Sequence, residues 1–230
     1  MSSAKLEQIR CPCGEVFEAD LYNSINAEED PDLKEALICG EINVVCCPKC
    51  SQIFYAEHFV LYHDPSVELI AFVYPSTFRS DEKYWKSRME DDFEKATAAT
   101  PDGAKILYAP IILFGLDELV QLIKEEDEIS DEISILKYSA GDIGVNVINL
   151  RPVFARACKL PRSIPSAGDA GDGKHTRADV IAGLKALVAF NRNLTWYARM
   201  LEMIEKDHRW SIDENIVLKK TQRHHIKHKK

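Results

Sequence analysis

Long hydrophobic runs are missing from this chain. Its longest mostly apolar stretches, Val67 to Tyr74 and Ile111 to Leu116, fall far short of the roughly 18 to 20 residues that cross a bilayer as a helix. Met1 to Arg10 hold no apolar core of a secretory signal, so a cytoplasmic protein with no membrane segment is expected. Basic charge is scarce until the end: Met1 to Leu218 carry 23 bases against 37 acids, a net −14, whereas residues 219 to 230 hold six bases and no acid. Such a body repels polyanions and only the tail attracts them. No internal repeat is present, and no nucleophile, base and orienting group stand together in a recognisable sequence context. What the chain does have is 230 residues that are 46% apolar, enough for one or two globular domains and too much for disorder throughout.

Seven cysteines in a chain with no export signal do not read as a disulfide framework, and the number is odd. Their spacing is more informative. Cys11-Pro12-Cys13-Gly14 and Cys47-Pro48-Lys49-Cys50 form two pairs with 33 residues between them. Two thiolates on a proline-stiffened turn face one cation, and a second such turn completes a tetrahedron of sulfur. Zinc is the expected occupant because soft thiolates disfavour magnesium and calcium, although iron fits the same cage. The set Cys11, Cys13, Cys47 and Cys50 is preferred because Pro48 then takes the place in its turn that Pro12 takes in the other. Cys46 offers an alternative fourth ligand. Four thiolates leave no coordination position for water or substrate, which predicts a structural metal that helps to fold the first fifty or so residues. A redox reading of Cys47 and Cys50 needs a helix starting at the motif, but Ser51 to Ala56 read as strand.

Several short motifs recur in a familiar order. Cys11-Pro12-Cys13-Gly14, Asn23-Ser24-Ile25-Asn26, Gly40-Glu41-Ile42-Asn43, Cys47-Pro48-Lys49-Cys50 and Leu61-Tyr62-His63-Asp64-Pro65 together resemble the CpXC family of prokaryotic proteins, and Leu113 to Leu119 look like its continuation. The first cysteine pair is one residue shorter than the family's Cys-Pro-x-Cys. The resemblance covers roughly residues 8 to 140 and implies a metal-binding domain and a prokaryotic source, with no activity attached.

Along the chain, Phe17, Ala19 and Leu21 alternate as in a half-buried strand. Asp30 as N-cap and Pro31 open a short helix that places Leu33, Ala36 and Leu37 on one face and stops at Gly40. Ile53 to Glu57, Phe59 to Tyr62 and Glu68 to Tyr74 read as strands of a small antiparallel sheet beside the metal, with a turn at His63 to Ser66. His63 and Asp64 side by side suggest a hydrolytic pair, but turn chemistry is the preferred account.

Trp85, Met89, Phe93 and Ala96 mark a core helix ended by Thr100 to Gly103. A buried strand over Lys105 to Phe114 and a helix carrying Leu116, Leu119, Val120 and Ile123 follow. Six of the eight residues from Glu125 to Glu132 are acidic and read as a solvated helix junction. Val145 to Leu150 is a strand. Gly168 to Lys174 superficially matches a phosphate loop, but His175 stands where the magnesium-binding hydroxyl belongs and no buried strand precedes it.

The expected architecture is α+β. A zinc-ribbon-like small antiparallel sheet with an inserted helix and an α/β continuation fill 1–150; 151–176 is a linker; 177–218 is a helical hairpin; and 219–230 is a basic tail. The expected function is a non-catalytic, metal-stabilised binding or scaffold protein with a protein partner. The alternative is a nucleic-acid-associated regulator that uses the tail for phosphate contacts.

Overall fold

The computed structural model describes residues 2–98, 106–168 and 175–212. The turn expected at Thr100 to Gly103, the 169–174 part of the glycine-rich stretch and the basic tail lie outside the described residues. The chain forms two compact units, Met1–Asp127 and Glu128–Lys230. Among the described residues no helix is long and apolar enough to cross a membrane.

The first unit opens on a long hairpin in which β1 (Ser3–Arg10) pairs antiparallel with β2 (Val16–Asn26). The alternation of Phe17, Ala19 and Leu21 supplies its inward face, with Leu21 fully buried. Helix α1 (Pro31–Ile38) begins at its proline and stops as expected: Gly40 adopts φ 76°, its N–H donates to the Leu37 carbonyl at 3.0 Å, and the Glu41 N–H donates to the Ala36 carbonyl at 2.9 Å. Asp30 does not cap the helix with its side chain; its carboxylate instead accepts from the Ser2 N–H at 3.3 Å.

The remaining elements of this unit are β3 (Val44–Cys46), β4 (Ile53–Tyr55), β5 (Val60–Asp64), β6 (Leu69–Tyr74), α2 (Glu82–Ala98), β7 (Ile111–Phe114) and the start of α3 (Leu116–Ser139). The fold class is α+β, but the sheet differs from the expected one. β4 pairs with β3 in a separate ribbon, and the main sheet is mixed, in the order β1-β2-β5-β6-β7, with β2/β5 and β6/β7 parallel. The reason is connectivity: α1 and the β3–β4 ribbon lie between β2 and β5, and α2 lies between β6 and β7, so both links are long crossovers that allow parallel pairing.

β6 is buried at every position. Its alternation sends Leu69, Ala71 and Val73 into a cluster with Leu37, Leu119 and Ile123, and Ile70, Phe72 and Tyr74 into another with Met89. Trp85 and Phe93 of α2 pack on that second cluster, while Ala96 is exposed. Tyr62, fully buried in the first cluster, has no hydrogen-bond partner for its hydroxyl among the described residues.

The acidic stretch from Glu125 to Glu132, through which the boundary between the two units runs, is not a break between helices. α3 runs through it to Ser139, because Ile129, Ile133 and Leu136 hold an apolar stripe at helical spacing. Glu132 is buried and accepts from the Thr195 hydroxyl and the Trp196 N–H, both at 3.0 Å, and from the Tyr197 N–H at 3.2 Å. The two amides are orphan donors at the start of α6 (Thr195–Lys206), where Leu194 offers no side-chain cap.

The stretch expected as a linker contains α4 (Pro152–Ala157) and β9 (Ser163–Ser166), the latter paired antiparallel with β8 (Asn146–Asn149). Ala155, Leu160 and Ile164 there are core residues. Pro165 is tolerated because a two-stranded ribbon leaves one side of each strand unpaired. α5 (Arg177–Phe190) starts at a Thr176–Asp179 capping box, and its Val180, Leu184 and Leu187 share a core with Tyr197, Met200 and Ile204 of α6, as expected of the helical hairpin. α5 lies so close to β9 that a Cβ on Gly183 would meet the Pro165 carbonyl at 2.7 Å.

Candidate metal centre

Both cysteine pairs sit where an antiparallel ribbon turns. At the tip of the β1–β2 hairpin the Cys11 N–H donates to the Glu15 carbonyl at 2.8 Å and the Gly14 N–H donates to the Cys11 carbonyl at 2.9 Å, with Gly14 at φ 91°. Between β3 and β4 the Cys47 N–H donates to the Gln52 carbonyl and the Ser51 N–H to the Cys47 carbonyl, both at 2.9 Å. Each proline-containing turn is thus closed by its own backbone, which orients two thiols before any ion is considered.

The two tips meet. Cys11 Sγ lies 3.6 Å from Cys50 Sγ, Cys13 Sγ lies 3.8 Å from Cys47 Sγ, and all four sulfurs fall within 4.8 Å of one another. Four sulfurs about 2.3 Å from a common centre in a tetrahedron stand about 3.8 Å apart, so the spacing fits a metal ion held by all four. Each turn contributes one buried cysteine, Cys11 or Cys47, and one exposed, Cys13 or Cys50. Cys46 is outside this group: its thiol is exposed and contacts the Cys47 carbonyl at 3.9 Å. Cys39 and Cys158 are exposed free thiols elsewhere. After Cys50 the chain enters β4 and not a helix, so the helix that a redox Cys-x-x-Cys needs is missing.

Two ties hold the turns in place. Lys49 Nζ on the second turn meets Glu15 Oε2 on the first at 3.0 Å, and this carboxylate raises the lysine's pKa. Asn43, at φ 58°, holds both backbone groups of one residue of β2: its Oδ1 accepts from the Tyr22 N–H at 2.7 Å and its Nδ2 donates to the Tyr22 carbonyl at 3.0 Å. The Ala56 N–H donates to the Asn43 carbonyl at 2.9 Å, so the β3–β4 ribbon is fastened to the sheet through this residue. Asn43 belongs to the Gly40 to Asn43 motif, and a short amide that tolerates the left-handed conformation was the available signal for its role.

The thiols are electrostatically unequal. Burial pushes Cys11 up to about 12, reinforced by contact with the neighbouring thiols. At Cys47 burial also raises the pKa, but the Cys50 and Lys49 amides and the thiols of Cys11 and Cys50 outweigh it and bring Cys47 down to about 7. The second turn thus presents an easily formed thiolate, the species that binds metal.

His63 and Asp64 do not converge. As neighbours on β5 they leave the strand on opposite faces. His63 Nε2 lies 2.7 Å from the Tyr108 hydroxyl, whereas Asp64 Oδ1 accepts from the Ser66 N–H at 3.1 Å as a turn cap. Burial lowers the His63 pKa.

A family model described as CpXC protein matches residues 9–146. The chain belongs to the CpXC family. The match takes in both cysteine pairs, Asn43 and the main sheet from β2 to β7, with only the end of β1, so the CpXC region contains the whole group of four cysteines. No curated protein and no solved structure matches this CpXC chain.

Proposed function

We propose that this CpXC protein is a non-catalytic, metal-stabilised binding or scaffold protein of the cytoplasm, in which Cys11, Cys13, Cys47 and Cys50 hold one structural zinc ion. The observation that carries the reading is the group of four sulfurs drawn from two hairpin tips. A shell filled by four thiolates has no open position for water or substrate, and zinc suits soft ligands in tetrahedral geometry. The ion would supply a crosslink between the β1–β2 tip and the β3–β4 ribbon, where few apolar groups are available for packing. A protein is the partner, because the acidic body repels nucleic acid. Native mass spectrometry of the untagged chain from cell extract tests the assignment. One zinc per chain, absent in Cys47→Ser, is the expected result; iron in its place, or a metal-free chain, overturns it.

A further inference from the structure

The main sheet ends on β7, and among the described residues no strand pairs with its outer side. The Gly115 N–H donates to the Tyr74 carbonyl at 2.8 Å, which turns the odd-numbered residues of this segment toward β6. By the two-residue period, the N–H and C=O of Ile112 face outward. The Phe114 N–H also faces that way and is already taken by Glu118 Oε2 at 2.9 Å. An apolar edge of this kind is a template for another strand.

The groove beside the edge says what that strand carries. A shallow depression of about 470 Å³ has Ile111, Leu113 and Leu122 as its apolar floor and Asp117, Glu118 and Glu125 on its rim. Arg79 pairs with Glu118, and Gln121 Nε2 donates to Glu125 Oε1 at 2.9 Å. Both remaining rim carboxylates, Asp117 and Glu125, lack a cation partner among the described ion pairs, and Asp117 is exposed. Lysine or arginine stems lie well on aliphatic floors while their heads reach carboxylates. A second copy of this chain would bring two such acidic rims together, which disfavours self-pairing.

We propose that β7 accepts an added strand from a protein partner, an extended segment that alternates basic side chains with β-branched ones. Backbone bonds to Ile112 give the pairing, the basic residues cover Ile111, Leu113 and Leu122 and meet Asp117 and Glu125, and the β-branched residues pack on the other face of the sheet edge. The assignment rests on the reading of the chain as a binding module and names the surface and partner chemistry that reading leaves open.

The test is fluorescence anisotropy of labelled peptides titrated with the full-length, metal-loaded chain. An alternating lysine–valine peptide of about ten residues is expected to bind saturably, and a glutamate–valine counterpart at least about tenfold more weakly. Asp117→Lys combined with Glu125→Lys is expected to weaken the lysine peptide by about tenfold or more. Methylating alternate backbone nitrogens of the peptide keeps its charge and removes its strand donors, so it separates pairing from mere attraction to an acidic protein; it is expected to abolish binding. Equal affinity for the methylated peptide, no effect of the double substitution, or a sedimenting dimer that the peptide dissociates would each overturn the proposal. Metal stoichiometry measured on the same samples keeps the two readings apart, since absent peptide binding by a chain that holds its zinc refutes only this surface.

Discussion

Among the described residues, the buried apolar clusters number three between Met1 and Asp127, whereas between Glu128 and Lys230 seventeen buried apolar side chains form one. The smallest of the three, around Leu21, Val45 and Ala56, belongs to the strands that carry the cysteine pairs. A few half-buried side chains contribute little beyond the entropy of ordering their backbone. Where the core is thin, the first unit uses polar and ionic ties instead: Asn43 on the Tyr22 backbone, Lys49 on Glu15, and four sulfurs at one point. The second unit has polar ties as well, with Glu132 at the start of α6, Asp179 at the start of α5, and the Tyr197 hydroxyl on the Ser163 carbonyl, but they surround one large apolar core. Apolar packing and point crosslinks are therefore alternative solutions, and each unit favours one of them.

The largest effect that would break this contrast is loss of the sulfur centre. Structural zinc in small peptides contributes about 10 to 16 kcal/mol of binding free energy that is also folding free energy. Hydrogen exchange of Cys47→Ser is expected to show β3, β4 and the β1–β2 tip losing protection while the amides of α5 and α6 keep theirs. Parallel loosening of both sets would show that the units are not independent in stability.

A smaller loss, confined to the other unit, is expected from Glu132→Ala. It leaves three donors at the start of α6 without an acceptor, for about 3 kcal/mol, read as a shift in the denaturation midpoint with the cysteine centre's metal content unchanged. A loss below about 0.5 kcal/mol would mean that water replaces the carboxylate at that helix end.

The smallest effect is a pH dependence in the first unit. Burial holds His63 below its ordinary 6.5, so the unfolded chain takes up a proton there more readily than the folded one. Its contribution to stability is complete above 6.5 and is lost as pH falls below that value toward the folded pKa. Denaturation of the chain and of His63→Gln at about pH 7.5 and about pH 5.5 checks the sign: the variant should lose less on acidification.

The sequence was most legible where a residue's chemistry acts over a few positions. Proline after a cysteine, Gly40 at a helix end, and apolar spacing in α5 and α6 all led to the correct local structure. Pairing between distant segments was less accessible. The strand at Ile53 carries the same signal whether it joins the main sheet or a ribbon with Val44, and only the packing of Val45 and Phe54 with Leu21 decides. The acidic run misled because six charges obscure the Ile129, Ile133 and Leu136 stripe that keeps α3 helical. Glu132 was hidden for a related reason: its partners lie more than sixty residues away. For the candidate metal centre, the four cysteines named from their spacing lie together, and Cys46 lies outside that group.

Gly183 fixes the distance between α5 and the ribbon beneath it by means of an empty place. A helix normally gains from alanine over glycine, yet here even one methyl group would collide with the Pro165 peptide at 2.7 Å. The spacing is therefore a property of two main chains in direct touch, and a saturation library would show position 183 as a one-letter column.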